Sequence, residues 1–184
     1  SKEELLKEIR DELRKLKKKH DDLLEEIKRE YDRLREKVRK DLEDIERKLR
    51  KLEEDVERKD VREEEKTDLD RLAKELREEL KRIKKKIDDH IRRSEEELKR
   101  HHDEIRKILK KLKEELDTAA SQDLREEEVK RVVERVKELI KRLEDNIREA
   151  IRKLREDIKR LEEEVEKARK DVEDFLRELR KKVK

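Results

Sequence analysis

The chain of 184 residues contains no glycine, proline, cysteine, methionine or tryptophan, and one tyrosine and one phenylalanine are its only other ring-bearing residues besides four histidines. Without cysteine there is no disulfide, no thiolate metal site and no cysteine nucleophile. No apolar run approaches the ~18 residues of a membrane span, and no signal-peptide h-region is present, so no membrane segment or targeting signal is expected and localisation stays open. A surplus of one charge sign is also missing. There are 61 basic and 58 acidic residues, a net charge of +3. Nucleic-acid binding wants a one-signed patch, whereas these charges alternate along the sequence as a solvated face would, and no nucleic-acid partner is expected.

What the chain does have is charge and periodicity. It is 65% charged and 29% hydrophobic, against about 25% and about 45–50% in ordinary globular domains. Low hydrophobicity usually signals disorder. The small net charge and the strict spacing of the apolar residues argue instead for long helices.

The stretch from Ile9 to Val56 shows the spacing best. Its members are Ile9, Leu13, Leu16, His20, Leu24, Ile27, Tyr31, Leu34, Val38, Leu42, Ile45, Leu49, Leu52 and Val56. Steps of three and four make one amphipathic helix. A heptad fails, because Ile27 and Leu34 lead to Asp41; an eleven-residue repeat fails, because Leu13 and Leu24 lead to Arg35. An offset of eighteen holds: Ile9, Ile27, Ile45; Leu13, Tyr31, Leu49; Leu16, Leu34, Leu52. Eighteen residues in five turns is the 3.6 period of a straight helix, whereas seven or eleven would impose a supercoil.

A second stripe runs Leu69, Ala73, Leu76, Leu80, Ile83, Ile87, Ile91, Ser94, Leu98, His101, Ile105, Ile108, Leu112, Leu116, and a third from Val129 through Ile147 and Val165 to Val183. Both keep the eighteen-residue offset. Ser1-x-x-Glu4 reads as a capping box, as does Asp123-x-x-Glu126. Asp60-x-x-Glu63 and Thr67-x-x-Asp70 compete for the start of the second helix. The sequence therefore predicts an all-α fold: a long, essentially untwisted antiparallel three-helix bundle, one rod over 1–184. Its helices span about 2–58, 61–117 (or from 68) and 123–183, each about 75–90 Å long.

Strict period, idealised caps, Glu/Lys/Arg filler and no glycine or proline resemble a computationally designed helical bundle of the parametric kind. The resemblance covers the whole chain and rests on regularity. It implies a very stable scaffold without activity. The departure is the absence of glycine at either helix end, where such designs often place one. A natural spectrin-like rod fits less well, because spectrin-like repeats carry core tryptophans.

Four histidines are the candidate chemistry. His90, His101, His102 and His20 include no H-E-x-x-H and no pair at i, i+4, and adjacent His101 and His102 diverge by about 100° on a helix. His90 and His102 are expected at the surface or boundary. His20 and His101 occupy stripe positions, as do Ser94 and Tyr31. Antiparallel folding brings His20 opposite His101, and Ser94 near Ile147 and Asn146. The expected role is a small buried polar network that fixes register, with no stripe carboxylate to orient an imidazole. Buried neutral histidines would titrate below 6.5. No catalytic, cofactor-binding or metal-ligating residue is expected, no cofactor and no partner. A monomer is the first reading; a self-associating coiled-coil-type module or a natural structural rod is the alternative.

Overall fold

The computed structural model describes residues 1–183. Three helices account for nearly all of them: α1 (Lys2–Arg58), α2 (Glu63–Ser121) and α3 (Glu126–Val183). No strand occurs among the described residues, and the fold is an all-α three-helix bundle.

The helix starts show how local chemistry competes. At the first, Ser1 Oγ accepts from the Glu4 amide at 3.4 Å, and the Glu4 carboxylate returns to the terminal ammonium at 3.6 Å. The box predicted there is made. At the other two starts it is not. The Lys66 amide donates to Arg62 and the Val129 amide to Arg125, so α2 and α3 begin at Glu63 and Glu126, beyond Asp60 and Asp123. Each opens with three glutamates, Glu63–Glu65 and Glu126–Glu128, whose charge suits the positive end of the helix dipole. Thr67 lies inside α2, where its hydroxyl donates back to the Glu63 carbonyl at 3.0 Å, the pattern of a mid-helix threonine rather than a cap.

The segment Thr118-Ala-Ala-Ser121, beyond the expected helix end at about 117, continues α2. Alanine is the best helix former, and Ala119 is buried as the next member of the Ile83–His101 series. No described residue has positive φ, so both turns are made without the left-handed residue for which glycine is normally used.

Burial follows the eighteen-residue offset. Ile9, Ile27 and Ile45 are buried, as are Leu13, Tyr31 and Leu49, and Leu16, Leu34 and Leu52. The apolar stripe thus stays on the inward side along all of α1, as a 3.6 period requires. Within doublets the structure selects one member: Leu109 is buried while Ile108 is 41% exposed, Leu176 while Phe175 is 36% exposed, and Val133 rather than Val132.

The chain forms two compact units, and every helix contributes to both. The first comprises Ser1–Arg29 with Arg93–Glu156. There Arg10 pairs with Asp117 at 2.9 Å and the His20 and His101 ring centroids lie 5.4 Å apart, which together make α1 and α2 antiparallel, while Glu26 pairs with Arg155 at 3.5 Å and the Ser1 amine lies 4.0 Å from Glu126, which makes α1 and α3 parallel. The second unit comprises Glu30–Arg92 and α3 from Asp157 onward. Its core joins Ile45, Leu49, Leu52 and Val56 of α1 to Leu69, Ala73, Leu76 and Leu80 of α2 and Val172, Leu176 and Leu179 of α3. Each valine, leucine or isoleucine among them contributes about 1.5–3 kcal/mol on full burial.

Candidate functional site: two polar clusters at the core

Each unit carries one polar cluster where the aliphatic stripe is interrupted. In the first unit the interruption is His20 on α1, which is 1% exposed. His101 and His102 of α2 straddle it. His101 meets it edge to face at a centroid distance of 5.4 Å and 72°, and His102 stacks on it at 5.7 Å and 19°. The ~100° divergence of adjacent helical residues lets the two rings take different faces of one neighbour. The antiparallel pairing predicted for His20 and His101 is therefore observed. His102 was expected at the surface or boundary, and it lies at the boundary. It is half-buried, and it joins the cluster because it flanks the stripe position.

Hydrogen bonding in this cluster is incomplete. Both ring nitrogens of His20, Nε2 of His101 and Nδ1 of His102 are buried without a hydrogen-bond partner, and Asp21 Oδ1 lies 3.8 Å from His102 Nδ1. Burial, reinforced by His101 and His102, pushes the His20 imidazole down to about 4, against a small opposing pull from Asp21. Burial also lowers His101, with Glu104 opposing and His102 adding. A buried imidazole that gains no partner for its proton stays neutral at physiological pH.

The second unit solves the same problem differently. Tyr31 is fully buried, and its hydroxyl donates to Asp157 Oδ2 at 3.3 Å. His90 Nε2–H donates to the same carboxylate, 3.0 Å from Oδ1 and 3.1 Å from Oδ2. One carboxylate thus gathers a side chain from each of the other two helices. No such carboxylate was expected, because Asp157 is not a stripe member. It precedes buried Ile158 and is itself half-buried, and from that flank it reaches inward. The proposed network at Asn146 is not made: Asn146 is exposed, turned outward ahead of buried Ile147, whereas Ser94 is buried as its stripe position predicts.

Ion pairs between helices frame the second unit. The Arg77 guanidinium reaches both Glu46 and Glu53 of α1, at 3.1 and 2.6 Å, and these carboxylates raise its pKa. Lys48 meets Glu173 at 3.2 Å. Most other pairs among the described residues are within one helix, such as Arg152 with Glu149 and Glu156, exposed pairs that solvent screens.

Among the described residues the imidazoles of the first cluster have no carboxylate hydrogen bond to orient them. Among the described residues no group of three or more His, Asp or Glu is arranged to hold a metal ion, and no described helix is long and apolar enough to cross a membrane. The class the fold defines is the three-helix bundle with polar core clusters. No protein-family model, no curated protein and no solved structure matches the chain.

Proposed function

We propose that the protein is a structural scaffold: a monomeric helical bundle of the designed, parametric kind, without catalytic activity. The observation that supports this reading is how completely the apolar residues are used internally. Only Ile108 and Phe175 are large exposed hydrophobics among the described residues, and they lie in different units. A self-associating module needs a contiguous apolar face, commonly several hundred Å²; two isolated side chains do not make one. The polar clusters serve register. Asp157 satisfies Tyr31 and His90 in one alignment of the three helices only, as a buried polar group does in coiled coils.

Light scattering tests the reading directly. A mass of 22.9 kDa at micromolar concentration is expected, and a dimer mass overturns it. A zinc titration tests the absence of chemistry. A specific site would raise the denaturant midpoint by mass action, and no shift is expected.

A further inference from the structure

The even mixing of charges along the sequence breaks down at one place in the first unit. A groove of about 530 Å³ between α1 and α2 is lined by Arg10, Leu13, Arg14 and Lys17 on one side and Arg106, Leu109, Lys110 and Lys113 on the other. The two walls carry the same pattern: a cation, then leucine at the third following position, and cations at the fourth and seventh. These offsets fall on one face of a helix. The register is fixed by the Arg10–Asp117 pair and by the His20–His101 contact. It sets Arg10 level with Lys113, Arg14 with Lys110, and Lys17 with Arg106, so cations face cations across a floor made by Leu13 and Leu109.

Few of these charges are neutralised. Arg10 pairs with Asp117, and Arg14 lies 3.9 Å from Asp11. Lys17, Arg106, Lys110 and Lys113 have no ion-pair partner within 4.0 Å among the described residues, and Arg10 Nε is buried without a hydrogen bond. The corresponding groove of the second unit is different. Lined by Lys48, Leu52, Glu173, Leu176, Arg177 and Arg180, it contains its own carboxylate, which Lys48 engages. A cleft lined by one sign of charge focuses the field and concentrates counter-ions of the other sign.

We infer that the α1–α2 groove of the first unit is an anion-binding site whose ligand class is the linear oligophosphate. Two parallel rows of three cations, each row about 10 Å long from the helical rise, call for negative charges repeated along a line. A single head group would leave most of them unmatched. Sequence-tolerant binding of single-stranded nucleic acid relies on aromatic stacking platforms. Tyr31 and Phe175 both belong to the other unit, so the groove offers phosphate contacts and no tyrosine or phenylalanine on which a base could stack.

The test is calorimetric titration of the full chain with inorganic tripolyphosphate at low salt. One saturable site per chain is expected, with affinity falling steeply as sodium chloride is raised, because phosphate contacts release counterions. Lys17→Glu with Lys110→Glu is expected to weaken binding at least about tenfold. Arg177→Glu with Arg180→Glu changes net charge equally in the second unit and is expected to leave it within about twofold. All four residues are exposed, and helical circular dichroism confirms that the variants fold. No saturable binding at low salt, equal weakening by both double variants, or tighter binding of an oligothymidylate of equal charge would each overturn the assignment.

Discussion

His20 is the residue on which the largest pH effect should rest. Its imidazole titrates near 4 in the folded chain, against 6.5 when free. Between those values the unfolded chain binds a proton that the folded chain does not, so stability rises with pH there. It is complete above about 6.5 and declines as pH falls toward about 4, by on the order of 3 kcal/mol for a shift of this size. His101 acts in the same direction. Glu36, Glu149 and Glu173, held below their usual range chiefly by Arg39, Arg152 and Lys48, add losses at lower pH in any variant. The comparison that isolates His20 is therefore the denaturant midpoint of the parent and of His20→Leu, at about pH 7.5 and about pH 4.5. The variant should lose markedly less in acid. It should also be more stable at neutral pH, by about 1–3 kcal/mol, because two unpartnered buried nitrogens disappear. Equal acid losses would show that His20 is solvated. At Tyr31 the sign reverses: Tyr31→Phe removes a donor to Asp157 and should cost about 0.5–1.5 kcal/mol by urea titration.

At the scale of the helix, the doublets give the sharpest expectations. Leu109→Ala and Leu176→Ala open cavities in the core and should cost about 2–5 kcal/mol. Ile108→Lys and Phe175→Lys, one position away, should stay within about 0.5 kcal/mol. Chemical denaturation of the four variants checks this, and a large loss at Ile108 would mean that α2 is rotated from the orientation described. Which member of a doublet faces inward was only partly legible. The offset from Ala73 through Ile91 favours Leu109, but local three-and-four spacing equally admits Ile108. The starts of α2 and α3 and the end of α2 differ from the expected bounds for a related reason, whereas α3 ends at Val183 as expected. S/T/D-x-x-E/D signatures are abundant in a chain so rich in acids. Runs of glutamate and alanine then extend or delay a helix beyond the nearest cap.

For the whole molecule, the expectation is a cooperative thermal transition above about 70 °C followed by helical circular dichroism; cooperative melting below that would count against a scaffold with such consistent local and global patterning. Three helices, their apolar faces, the 3.6 period and the meeting of His20 with His101 were determined by the sequence, because each follows from residue spacing and from antiparallel return of the chain. The sequence could not determine which flanking side chains turn inward. His102 beside His20, and Asp157 between Tyr31 and His90, lie just off the stripe. Their roles depend on how the neighbouring helices are rotated. The cationic groove was hidden for the same reason. Arg10, Arg14 and Lys17 are interleaved with Asp11 and Glu12 along the chain, and only packing α1 against α2 sorts the cations onto one face and sets a second row opposite them.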